Sequence, residues 1–156
     1  MDRDPVSRRA SAPFPVRPRP HLRPSALGMV AVGGALGASV RHALSVWVPD
    51  SSSGFPWTTF AINLAGSFLL GLLPAFSAVR RSVHLPLLLG PGVLGGFTTL
   101  STYSEQTRDM VADGSLGTAM AYVIGTFIAC LVAVAVADQF SDTDARAEFE
   151  AEEGDL

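Results

Sequence analysis

The fold class this sequence predicts is an all-α membrane protein with four transmembrane helices, the third of them interrupted. Three observations carry the prediction. Of 156 residues, 48% are hydrophobic and 16% charged, and the mean hydropathy is +0.34. That is too apolar for an ordinary soluble domain and short for two domains. The charges are segregated: every basic residue is arginine, most of them before Ala26 or in the pair Arg80 and Arg81, while acidic residues crowd the stretch from Asp138 to Asp155. Between the tails lie four apolar windows, each approaching the roughly 20 residues that a helix needs to cross about 30 Å of hydrocarbon.

Residues 1–25, rich in Arg and Pro, cannot bury a core and are expected to be a disordered tail. They carry no module that reads nucleic acid. They do not form a secretory signal either, because the apolar window that follows is long enough to span and lacks an evident cleavage site, so an uncut anchor is expected. The first window covers 27–48 and ends at Pro49, Asp50 and the serines 51–53. The second covers 57–79 and stops at Arg80 and Arg81. The third covers 83–110, interrupted by Pro86, Pro91 and several glycines. The fourth covers 116–137, after the turn signal Asp113 and Gly114. Phe55, Trp47 and Trp57 fall where an interfacial aromatic belt belongs. The organisation is thus a tail over 1–25, a transmembrane domain over 26–138, and an acidic tail over 139–156 expected to be disordered. The arginines of the N-terminal tail and Arg80 and Arg81 place one side of the bundle in the cytoplasm.

Polar residues recur inside these windows with helical spacing. Thr59, Asn63 and Ser67 share one face of the second helix, and Tyr122, Thr126 and Cys130 share one face of the fourth. Beside the latter runs a stripe of small residues, Gly117, Ala121, Gly125, Ala129 and Ala133, and the first helix carries Gly33 and Gly37. Small stripes point to close helix packing, in a bundle or an oligomer. Asn63 reads either as an interhelical hydrogen bond or as part of a polar wall lining a path. Arg41 lies about two turns from the end of its helix, where it either snorkels to the interface or binds an anion. Cys130, the single cysteine, excludes a disulfide framework and a cysteine-cluster metal site. No Asp or Glu lies in the first, second or fourth window, and Glu105 stands toward the end of the third. A proton-coupled exporter needs a buried carboxylate, whereas hydroxyls and amides without fixed charge suit a passive path for a small anion.

The segment GGFTTLSTYSEQ, residues 95–106, sets glycines and hydroxyls inside an apolar window. In lipid such a break is tolerated only where protein or a water-filled path receives the freed backbone groups. The segment resembles the third-helix motif of the CrcB/Fluc fluoride channel family. FAINLAGSFLLG, residues 60–71, resembles that family's second-helix motif, and GGALGASVRH, residues 33–42, resembles its first. The three stand in the family's order and spacing, and the resemblance runs from Gly33 to about Cys130.

The resemblance implies a dual-topology dimer of four-helix subunits inserted antiparallel, with two fluoride pores along the subunit interfaces. It implies a third helix broken near the membrane midplane, whose backbone carbonyls at Gly95 and Thr98 hold a central structural Na⁺. It carries Asn63 over as a pore-facing amide donor, and Tyr122, Thr126 and Cys130 as a polar track, with Thr59 on the stripe leading to Asn63. Cys130 stands where serine is common and is the weaker donor. The paired phenylalanines that present ring edges to the ion become Leu100, which has no ring quadrupole, and Tyr103. A glutamate common to the family becomes Gln106, with Glu105 displaced by one position. The implied activity is passive fluoride efflux through the inner or plasma membrane, with no chemical step and hence no enzyme. The arginine bias toward one orientation favours a heterodimer with a related subunit over a homodimer. Rival readings are a small dual-topology proton-coupled exporter and a non-conducting partner subunit.

Overall fold

The computed structural model describes residues 24–50 and 54–154, with side chains as far as Ser141. The N-terminal tail expected over 1–25 lies outside the described residues except for Pro24 and Ser25, which already belong to the first helix. The described residues are mostly helical and include no strand, and their helices include four long and apolar enough to cross a membrane: Pro24–Trp47, Trp57–Ala75, Leu85–Ala112 and Leu116–Ser141.

Helix α1 spans Pro24–Trp47, with Pro24 at its first turn, where a missing N–H removes no intrahelical bond. Helix α2 spans Trp57–Leu72. The second window was expected to remain helical to Val79. Instead α2 tightens into a 3₁₀ turn over Leu73–Ala75, Phe76 is extended (φ −84°, ψ 117°), and a separate short helix, α3, follows at Ser77–Arg80. Pro74 explains the change, since it lacks the N–H that would continue the ladder. Arg80 donates to the carbonyls of Pro74 and Ala75 at 2.5 and 2.9 Å, closing that corner.

The third span is assembled from pieces: α4 at Leu85–Leu87, a π-helical stretch over Leu88–Leu94, α5 at Gly95–Phe97, and α6 at Leu100–Ala112. Pro91 lies within the π-helical stretch. The wider turn accommodates a ring that clashes with the i−4 carbonyl of an ordinary α-helix. Thr98 (φ −72°, ψ 158°) and Thr99 (φ −144°, ψ 117°) are extended, and the helix restarts at Leu100.

Helix α7 spans Leu116–Gly154. The acidic segment expected to be disordered from residue 139 is therefore helical through Gly154. Its Ala, Glu and Arg residues are strong helix formers, and propagation from an existing helix needs no new nucleus.

Packing is close where glycine permits it. A Cβ on Gly33 would run into the Leu88 carbonyl oxygen, and one on Gly37 into that of Val93, so α1 lies backbone to backbone on the π-helical stretch. Gly71 brings α2 against α7, where an added Cβ would meet Ala137 Cβ and Val134 O at 3.0 Å. Ser141 Oγ closes the same contact by donating to Gly71 O at 3.0 Å. Large apolar residues face outward along α1 and α7, including Val32, Leu36, Val40, Ile124, Phe127, Ile128 and Leu131. Hydrocarbon, not water, is the solvent that suits such a surface.

Candidate functional site

Three helices converge on the interruption at Thr98 and Thr99. From α2, Asn63 pairs with the Thr99 main chain in both directions: Nδ2 donates to Thr99 O at 3.1 Å, and Oδ1 accepts from Thr99 N at 2.8 Å. One turn on, Gly66 leaves room for the Thr98 side chain, whose Cγ2 would collide with any Cβ there. From α1, Arg41 Nε donates to Gly96 O at 3.2 Å, and Gly96, having no Cβ, packs against the Gly34 backbone, whose carbonyl oxygen any Cβ there would strike. The restarting helix is capped by Thr99 itself, whose Oγ1 accepts from Thr102 N at 3.1 Å. The orphaned backbone groups of a broken helix thus find partners in protein, as lipid requires.

The break also redirects two main-chain donors. In a continuous helix Thr99 N would serve Gly95 O and Thr102 N would serve Thr98 O. Here they go to Asn63 Oδ1 and Thr99 Oγ1.

A cavity of about 440 Å³ opens beside this break. Of the residues expected to be functional, it brings together Asn63, Gly95, Thr98, Leu100, Tyr103, Thr126 and Cys130. No charged residue lines it, and its polar wall consists of hydroxyls, one amide and one thiol. Thr126 Oγ1 is buried and has no hydrogen-bond partner. Tyr103, by contrast, donates its hydroxyl to Val123 O at 3.0 Å, which ties α6 to α7. Leu100 is 76% exposed, so the wall it forms is open to the outside of this single subunit.

Thr59 and Tyr122 lie one turn before Asn63 and Thr126 and do not line the cavity. They join a second polar cluster around Asp50, near the start of the α1–α2 loop. Asp50 accepts from Thr58 N, Thr59 N and Thr59 Oγ1 at 2.7, 3.3 and 3.1 Å, and from Gln106 Nε2 at 3.1 Å. Tyr122 OH donates to Gln106 Oε1 at 2.9 Å. Tyr122 is fully buried between Phe55 and Tyr103, with ring centroids at 5.2 and 4.9 Å.

Sequence reasoning missed Asp50, Thr99 and the contact of Gly96 with Arg41. A hydroxyl just ahead of a restarting helix is a readable capping signal at Thr99. Asp50 had no such signal, because it stands eight residues from the amide it caps and reaches it only through the fold of the loop.

The family model for CrcB-like protein, Camphor Resistance (CrcB), matches residues 28–137. The chain belongs to the CrcB family. The match covers the transmembrane part and leaves out both tails. Among similar proteins, fluoride-specific ion channel FluC 1 of Streptomyces coelicolor is 44% identical over 110 residues, covering 69% of this chain and 71% of that protein. Fluoride-specific ion channel FluC 2 of Nocardia farcinica is 38% identical over 126 residues, covering 80% and 88%. Fluoride-specific ion channel FluC of Thermus thermophilus is 44% identical over 108 residues, covering 67% and 85%. With its four spans, this CrcB member is a multi-pass membrane protein.

Proposed function

We propose that this chain is a subunit of a fluoride-specific channel that lets F⁻ leave the cytoplasm passively. The observation that carries the reading is the uncharged cavity beside the helix break, where the buried Thr126 hydroxyl lacks any protein partner and Asn63 and Cys130 stand nearby. A donor without a partner in a buried wall is destabilising unless something else accepts its proton. A dehydrated halide is such an acceptor. Because the wall bears no fixed charge, it binds an anion strongly enough to replace water and weakly enough to release it. The curated relatives named above support fluoride as that anion. HF enters cells uncharged and ionises inside, and a negative interior then drives F⁻ outward by about 2.3 kcal/mol per charge per 100 mV. No chemical step is involved, and the protein is not an enzyme.

The finer parts of the reading rest on the same geometry. The interruption at Thr98 and Thr99 belongs at mid-membrane depth, and two subunits inserted antiparallel meet there. The carbonyls of Gly95 and Thr98, whose helical donors are redirected, are oxygen ligands of the kind that a hard cation prefers. In this arrangement they hold a Na⁺ that neutralises the freed carbonyl dipoles and locks the two third spans together. Leu100, exposed on the single subunit, faces the partner. Thr59, Asn63, Thr126 and Cys130 form the path, with Tyr103 at its wall and Tyr122 at its end. Arg41 steadies the break through Gly96.

A heterodimer with a related, oppositely inserted subunit is favoured over a homodimer by the arginine bias, since Arg80, Arg81 and the six arginines before Ala26 all lie on one side. The partner then supplies the aromatic edge that Leu100 lacks.

The test is fluoride-electrode efflux from liposomes that contain the purified chain, alone and with a related subunit, with no proton gradient. Efflux under those conditions supports a channel. Efflux that requires a proton gradient would identify an exporter instead, and absence of efflux in both preparations would end the reading.

A further inference from the structure

Helices α2 and α7 flank the cavity and run in the same direction. Near the α1–α2 loop, Asp50 holds the Thr59 hydroxyl directly and Tyr122 through Gln106. About three turns on, a Cβ at Gly71 would lie 3.3 Å from Val134 Cα. Residues between these contacts pair in order, which sets Asn63 beside Thr126 and Ser67 beside Cys130, and all four line the cavity. The first level has an uncommitted donor in Thr126, whose buried hydroxyl has no partner. At the second level Cys130 offers only a thiol, a weak donor. Ser67 brings a hydroxyl to that level, and it differs from other helical hydroxyls of this chain. Ser39, Ser45, Ser104 and Thr107 each donate to the carbonyl four residues back, at 2.8 to 3.0 Å. Among the described residues, nothing accepts from Ser67. Thr126 and Ser67 therefore stand on one cavity wall, each with a proton committed to no protein acceptor.

We propose that Ser67 is an ion-contacting residue of the path, supplying from α2 the hydrogen bond that Cys130 is too weak a donor to supply from α7. This role rests on the proposed fluoride reading and extends the path by one level, toward the end of the cavity bounded by Leu70 and Pro91. Successive levels on either helix are four residues, about 6 Å, apart. An anion that leaves Thr126 in that direction meets the side chains of Leu70, Pro91 and Leu94, none of which donates. Losing every strong donor at once beside an apolar wall is costly, and a conducting path needs successive sites that hand the ion on. The Ser67 hydroxyl meets that need. A serine kept only for helix structure would return its proton to Asn63 O, as the four hydroxyls above do to their own carbonyls.

The experiment is fluoride-electrode efflux from liposomes holding the full chain, in whichever pairing conducts, with folding checked by size-exclusion elution. Ser67→Ala should slow efflux about tenfold, the loss of one hydrogen bond to an ion. Ser67→Ala with Cys130→Ser moves the hydroxyl across the cavity at the same level, and should recover efflux to within about threefold of wild type. A serine needed only for packing on α2 would not be rescued from α7. If Ser67→Ala does not elute as folded protein, Ser67→Cys in reducing buffer takes its place, since a thiol keeps the shape and gives up the strong donor. Slow efflux that Cys130→Ser restores then supports the role. Wild-type rates in the single variant, or equal slowing in the single and double variants, overturn it. A wild-type protein without fluoride efflux overturns the fluoride reading itself, and the role of Ser67 falls with it.

Discussion

Asn63 and Thr126 sit on the same cavity wall, yet their energetic positions are opposite. Asn63 is committed to the Thr99 main chain by two hydrogen bonds, so its role at the break is structural as well as chemical. Asn63→Ala should remove both bonds and leave a buried amide and carbonyl without partners, lowering stability by about 1–3 kcal/mol. Thermal unfolding in detergent would register the loss, and fluoride efflux should fall with it. Thr126 has no protein partner to lose. Thr126→Val keeps its shape and removes an unsatisfied hydroxyl, so stability should hold or rise by about 1 kcal/mol. Its efflux should nonetheless drop about tenfold, the loss of one hydrogen bond to an ion. A Thr126→Val protein that is unchanged in both measurements would remove Thr126 from the path. The motif containing Asn63 was legible from its sequence; the identity of its partner was not, because Thr99 is 36 residues away.

Two stripes of small residues look alike in sequence and behave differently as elements. On α1, Gly33 and Gly37 are in backbone contact with the π-helical stretch of the third span. On α7, Gly117 and Gly125 have nothing within 4 Å of an added Cβ. Gly37→Ala should therefore separate α1 from the third span and abolish recovery of monodisperse protein. Gly125→Ala should leave the subunit folded, as size-exclusion elution and circular dichroism would show. The third span teaches a related lesson. Pro91 and the glycines around it announced an interruption, but the widened turn over Leu88–Leu94 and the extended pair Thr98 and Thr99 depend on what α1 and α2 press against them. Helix α7 continues into the acidic segment, whose Ala, Glu and Arg residues are good helix formers once a helix precedes them.

For the whole molecule, charge placement and the freed carbonyls make separate predictions. Accessibility of terminal tags should place the N-terminus predominantly in the cytoplasm, since the arginines lie almost wholly on that side. Equal populations of both orientations would instead favour a homodimer. Replacing Na⁺ by a large organic cation during purification should weaken subunit pairing and slow efflux if the Gly95 and Thr98 carbonyls hold Na⁺, because those carbonyls would then face one another without a cation between their dipoles. Cross-linked dimer yield would report the first effect and the fluoride electrode the second.

The sequence by itself determined the four spans and the family, because hydropathy, helical period and local motifs are properties of neighbouring residues. Only the tertiary structure decided that Asn63 and Arg41 both grip the break, that Thr126 is left without a partner, and that Asp50 reaches across the loop to Gln106. Hydrogen bonds between residues tens of positions apart depend on how helices cross, and no local period encodes that.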